Sequence, residues 1–214
     1  MKSDEAKRKK LYVERDISWM YFNQRILLEA ARPEVPLLEQ LTFLGIYSNN
    51  LDEFFRVRVA TLNRIVEYDD KNIREERDTA ARTLKQIGKL HNQYYRQFEE
   101  TFASIMEKLK QENIHVIKDT ELTPEQEHFI TSLYRNRLNG STKTSRHTDD
   151  QTDEDIYLAI RLLRKDSEGK VKMKDYAVIG LPTAEFGRFI RLPDSEGKTY
   201  LMFLDDVIRY CLPM

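Results

Sequence analysis

The chain has 214 residues, 40% apolar and 33% charged, with Lys+Arg 35 against Asp+Glu 36. That is one large domain or two small ones, with enough apolar residues for a core and no excess of either charge. A dedicated nucleic-acid coat, a disulfide framework (one Cys), a collagen-like or low-complexity chain and a bilayer-spanning helix are excluded.

Gly 7 and Pro 6 amount to about 6% of the chain, half the usual share, which favours long solvated helices. Met1 to Lys10 is basic, with no apolar run behind it, so it reads as a disordered lead-in rather than a signal peptide. The compartment expected by default is the cytoplasm.

Ser18 is a good N-cap, and Trp19, Phe22, Ile26, Leu27 and Ala30 follow at helical spacing up to Arg32-Pro33. Pro36 suits the start of a second helix with the stripe Leu37, Leu38, Leu41 and Leu44. Gly45 and Ser48-Asn49-Asn50 are expected to interrupt it. Asn49 would then cap a third helix through Phe54, Arg58 and Leu62. After a charged connection at Tyr68 to Arg77, a long amphipathic helix runs from about Asn72 to Asn113, roughly 60 Å at 1.5 Å per residue. Four helices with short links predict an antiparallel bundle.

The pattern changes after Asn113. Ile114 to Ile117 alternates like a strand, and Thr123-Pro124-Glu125-Gln126 has the makings of a capping box. Asn139 to Asp155 carries no apolar residue and is expected to be a loop. Strand-like runs follow at Ile156 to Leu163, Tyr176 to Leu181, Arg188 to Leu192 and Thr199 to Phe203. The pentapeptide Asp-Ser-Glu-Gly-Lys occurs at 166–170 and again at 194–198, each time where a hairpin turn is needed. Asp205 would cap a last short helix. The chain ends at Met214 inside an apolar run, which points to a piece of a longer protein. The fold class expected is therefore α+β: an antiparallel helical bundle over 1–113, then a small mixed portion with antiparallel hairpins over 114–214.

Catalytic hardware is thin. Neither common phosphate-binding glycine loop is present, and His91, His115, His128 and His147 show no ligand spacing. Cys211 reads as a small buried hydrophobe and Trp19 as bundle core. The acidic run Asp149, Asp150, Asp153, Glu154 and Asp155 reads as a solvated loop. No catalytic and no metal-ligating residue is assigned. The distinctive stretch is 43–59, where Ser48, Asn49 and Asn50 are expected at a helix N-terminus with free N–H groups facing outward. Arg56 and Arg58 follow as candidate anion contacts.

The segment Ile17-Ser-Trp-Met-Tyr-Phe-Asn-Gln-Arg-Ile-Leu-Leu-Glu-Ala30 resembles the opening motif of bacterial polyphosphate kinases. The segment 36–58, PLLEQLTFLGIYSNNLDEFFRVR, resembles the motif that follows it in that family. Phe186 to Pro193 and Leu204 to Leu212 are similar to parts of the family's second, or head, domain. The resemblance implies an enzyme that makes inorganic polyphosphate reversibly from the terminal phosphate of ATP. It implies four domains: a helical N-terminal domain, a head domain used in dimer formation, and two C-terminal domains. The phosphorylated histidine and the magnesium ligands lie in those C-terminal domains, which have no counterpart here. The chain alone is thus expected to transfer no phosphate.

Asn50, directly before Leu51-Asp52-Glu53-Phe54, matches the family residue that contacts the adenine of ATP. The partners so implied are ATP/ADP, polyphosphate and a second copy bound through the head domain, with no nucleic acid and no transmembrane segment. Membrane association stays open. A stand-alone helical interaction module without nucleotide binding is the alternative reading, and a diverged relative without kinase activity is another.

Overall fold

The computed structural model describes residues 12–68, 71–145, 155–165 and 170–212. The chain divides between Lys108 and Leu109 into two compact units.

In the first unit, α1 spans Arg15–Ala30 and α2 spans Leu37–Phe54. A π-helical turn over Phe55–Val59 continues α2 without a break into α3, Ala60–Glu67. A short 3-10 turn at Lys71–Ile73 leads into α4, Arg74–Gln111. The helices α1 and α2 pack side by side and antiparallel. Asp16 meets Arg58, Trp19 meets Phe54 and Asn23 meets Asn50, so numbers climb on one helix as they fall along its partner. Ile17, Met20, Leu27, Leu44, Tyr47, Phe54, Leu62, Ile87, Tyr94 and Ile105 are the large buried side chains of this unit. Their three-and-four spacing on each helix is what makes each face apolar.

Two helix boundaries differ from those the sequence spacing predicts. The first helix starts at Arg15 rather than after Ser18, because Glu14 is the cap. Its carboxylate accepts from the backbone N–H groups of Asp16 at 2.8 Å and Ile17 at 3.0 Å. The second helix is not interrupted at Gly45 or at Ser48-Asn49-Asn50, and Asn49 caps nothing. Asparagine breaks helices by bonding nearby backbone. The Asn50 amide is occupied across the helix pair by Asn23 instead, which removes that competition.

In the second unit, β1 (Ile114–Val116) is followed by a 3-10 turn at Asp119–Glu121 and by α5, Pro124–Leu133. The expected capping box at α5 is present: Thr123 Oγ1 accepts from Gln126 N at 3.3 Å, and Gln126 Oε1 accepts from Thr123 N at 3.0 Å. A π turn at Tyr134–Leu138 and a one-turn α6 at Asn139–Ser141 extend that helix. The strands are β2 (Lys143–Ser145), β3 (Tyr157–Lys165) and β4 (Val171–Gly180). A one-turn α7 at Thr183–Phe186 precedes β5 (Phe189–Ser195), β6 (Lys198–Phe203) and α8 (Leu204–Cys211).

They form two three-stranded sheets, β1-β6-β5 and β2-β4-β3. The pairs β3/β4 and β5/β6 are antiparallel hairpins, whereas β1 lies parallel to β6, with Ile114 opposite Thr199. One core joins α5, α8 and the β5/β6 pair, through Ile130, Leu138, Met202, Leu204, Val207 and Ile208.

Residues 139–145 of the expected loop form regular structure, with β2 paired to β4, Thr144 opposite Ile179. Backbone pairing needs no apolar side chain, so composition did not reveal it. Residues 146–154, with His147 and most of the acidic run, lie outside the described residues, as does most of the first Asp-Ser-Glu-Gly-Lys copy. Asp205 sits inside the first turn of α8 rather than capping it, and it pairs with Arg188 at 3.2 Å. Gly187 ends α7 at φ 73 and ψ −174, a backbone shape that favours glycine strongly.

Candidate functional site

A cleft of about 470 Å³ opens between α1 and the α2–π segment of the first unit. Trp19, Phe22, Asn50, Phe54 and Arg58 line it, with Arg15 and Asp16 at the α1 N-terminus. Trp19 stacks on Phe54 with ring centroids 4.1 Å apart and planes 3° from parallel. Trp19 is thus only half-buried and forms a cleft wall, where the sequence suggested bundle core. Phe22 leaves 55% of its surface exposed, an unusual state for a phenylalanine.

Asn50 lies near the end of α2, half-buried, and its Nδ2 donates to Asn23 Oδ1 at 3.2 Å. It is in a helix interior, so the anion-greeting N–H groups expected beside it are spent in the helix ladder. What the position offers is the amide itself, which can donate and accept at once.

Arg58 sits in the π turn. A π turn holds one more residue than an α turn and re-aims the side chains that follow it. Here Arg58 reaches back to α1 and grips Asp16 with Nε to Oδ1 at 2.9 Å and Nη2 to Oδ2 at 3.0 Å. This hydrogen bonding to Asp16 pushes the guanidinium pKa further up. Arg56 is exposed and bonds Asp52 one turn earlier, Nη2 to Oδ2 at 2.8 Å. The structure thus brings Asn50 and Arg58 to one cleft and leaves Arg56 outside its lining. Sequence reasoning missed Arg15, Asp16 and Phe22 as cleft residues. The available signal was an acidic residue and an aromatic flanking Trp19 on the motif-bearing helix.

Elsewhere the chemistry is sparse. His91 packs its ring against Phe55 at 5.2 Å, and His115 against Tyr200 at 5.3 Å. Cys211 is buried, and burial pushes its thiol pKa up. Among the described residues, no group of three His, Cys, Asp or Glu side chains converges to hold a metal ion. None of the described helices is long and apolar enough to cross a membrane.

Residues 12–117 match the family model for the polyphosphate kinase N-terminal domain, and residues 126–214 match that for the polyphosphate kinase middle domain. A polyphosphate kinase of Vibrio parahaemolyticus is 33% identical over 211 residues, covering 95% of this chain and 29% of that protein. One from Escherichia coli is 30% identical over 214 residues, covering 95% and 30%. The crystal structure of polyphosphate kinase from Porphyromonas gingivalis superposes with a TM-score of 0.79 at 24% identity, covering 94% of this chain and 30% of that one. A helical unit followed by a small α+β unit is thus matched, one after the other, by the two domain models of a single family. The chain belongs to the polyphosphate kinase family, of whose curated relatives it spans about 30% of the length.

Proposed function

We propose that this chain is the leading, nucleotide-facing part of a bacterial, cytoplasmic polyphosphate kinase. The whole enzyme transfers the terminal phosphate of ATP to polyphosphate, with ADP as the other product. Residues 1–113 act as its helical N-terminal domain and 114–214 as part of its head domain. In this reading Asn50 contacts the adenine ring. The observation that carries it is the cleft, where an amide and an exposed aromatic face stand together inside the motif-bearing helices. An aromatic face suits a purine, and one amide satisfies the mixed donor and acceptor edge of adenine.

Arg15 is the more available cation for phosphate, with 73% of its side chain exposed, while Arg58 already spends two of its five N–H donors on Asp16. Magnesium is expected to bind in the C-terminal domains of the whole enzyme, and no residue of this chain is assigned to it. For the second unit the role is dimer assembly, supported by the exposed apolar side chains Leu163 and Tyr176 on the β3/β4 hairpin.

The chain has one tryptophan, and it forms the cleft wall. ATP should therefore change Trp19 fluorescence saturably. Asn50→Ala should weaken that binding about 5- to 30-fold, the loss of one or two hydrogen bonds at about 1–2 kcal/mol. A variant that melts earlier but binds ATP as before would mean that Asn50 is only a strut between helices.

A further inference from the structure

Asn23 is 1% exposed, between the buried Met20 and Leu27 on the inward stripe of α1. An apolar residue would be the ordinary occupant of such a position. A buried amide is tolerated only when its polar ends are matched. Both ends of Asn23 are matched, and with defined polarity. Its Nδ2 donates to the Tyr47 backbone carbonyl at 3.1 Å, and its Oδ1 accepts from Asn50 Nδ2 at 3.2 Å.

The Tyr47 carbonyl can only accept. It therefore fixes which end of the Asn23 amide is nitrogen. Asn23 in turn presents an oxygen to Asn50 and fixes the Asn50 amide with its nitrogen inward. A flipped Asn50 would set oxygen against oxygen. The cleft is left with the Asn50 carbonyl oxygen as an acceptor of set direction, beside the second Nδ2 hydrogen as a donor. Asn23 itself does not line the cleft.

We propose that Asn23 is a positioning residue that fixes the polarity of the Asn50 amide and so makes the cleft select a 6-amino purine over a 6-oxo purine. This rests on the reading that Asn50 contacts the base. An amino group at C6 donates to the Asn50 oxygen, whereas a carbonyl at C6 meets it lone pair to lone pair. A site built around one hydrogen-bond polarity rejects the analogue that reverses it.

The test compares ATP with ITP, which differ at C6 and N1 alone, by Trp19 fluorescence on the 214-residue chain. The unaltered chain should prefer ATP at least about 10-fold. Folded Asn23→Ala should bring the ratio to about 1–3, because the freed Asn50 amide can turn to suit either base. A merely structural role for Asn23 would weaken both nucleotides alike and leave the ratio unchanged. Asn50→Ala should also lose the preference. If it keeps the preference, or if the unaltered chain shows no response to ATP, the underlying nucleotide reading falls and this proposal with it. If Asn50→Ala loses the preference while folded Asn23→Ala retains it, the positioning role alone is overturned. A measurement on the unaltered chain needs no folded variant: the Asn50 side-chain NH₂ should exchange with water at least about 10-fold more slowly than that of exposed Asn49. Equal rates would overturn the proposal.

Discussion

Arg58 lays its guanidinium edge along both carboxylate oxygens of Asp16, 2.9 Å and 3.0 Å away, across 42 residues of sequence. Asp16 is 3% exposed, and Arg58 is its close ionic partner, with Arg15 no nearer than 3.8 Å. Removing one member of a buried pair strands the other in a poor solvent. Arg58→Ala should cost about 3 kcal/mol, the low end for such pairs because Arg58 itself stays partly wet. Arg58→Lys keeps the charge but loses the fork, and should cost about 1 kcal/mol. Arg56→Ala breaks an exposed pair one helical turn apart and should cost less than about 0.5 kcal/mol. Urea midpoints at constant m-value rank the three. Equal losses for Arg58→Ala and Arg56→Ala would refute the ranking.

Tyr47 is buried and its hydroxyl has no hydrogen-bond partner, although its ring packs against Phe98. Burial, and to a lesser degree Tyr94, pushes its pKa from the usual 10 up to about 12. The folded state holds this proton more tightly than the unfolded chain does. Its contribution to stability is intact below about pH 10 and is lost as pH rises toward 12. Tyr47→Phe removes an unsatisfied hydroxyl, so it should be neutral or stabilising by up to about 1 kcal/mol at pH 7. The difference between wild type and variant should widen from pH 9 to pH 11.5 in favour of the phenylalanine. A constant difference across that range would refute the assignment.

Glu196 and Gly197 form the two-residue turn between β5 and β6 with φ 54 and 72. Left-handed backbone costs an ordinary side chain roughly 1–2 kcal/mol and asparagine much less. Glu196→Asn should gain about 0.5 kcal/mol net, after loss of the exposed ion pair with Lys198. Gly197→Ala should lose about 1 kcal/mol. Thermal melts of the two variants should shift in opposite directions.

Cys211 is 1% exposed, and burial holds its thiol above the ordinary pKa. Thiol reagents attack the thiolate. Labelling of the folded chain should therefore be slow, and should accelerate along the urea unfolding curve of the second unit. Rapid labelling in native buffer would show that the core around Ile130 and Val207 is open.

Local chemistry was the legible part of this fold. The Thr123/Gln126 box, the two hairpins and the long helix α4 each depend on neighbours within a few residues, and sequence spacing exposes them. Asn50 stood out through the motif around it, but its place in a cleft wall within an unbroken helix did not. An asparagine run reads as a helix break until the opposite helix supplies Asn23 to occupy the amide. The π turn at Phe55–Val59 carries no composition signal, because its residues are ordinary helix occupants. Glu14 outcompeted Ser18 as a cap through contacts that spacing alone does not rank. Arg58 read as a free cation until Asp16 came alongside it.

The parallel pairing of β1 with β6 sets an order of events during synthesis. About 85 residues separate Ile114 from its partner Thr199. At ribosomal rates of roughly 5–20 residues per second, β1 waits on the order of 4–17 seconds for the strand that completes its ladder. The helical pair α1/α2 closes over a few dozen residues and can form long before. The second unit is thus the late folder, and its unpaired first strand is the segment a holding chaperone has time to meet.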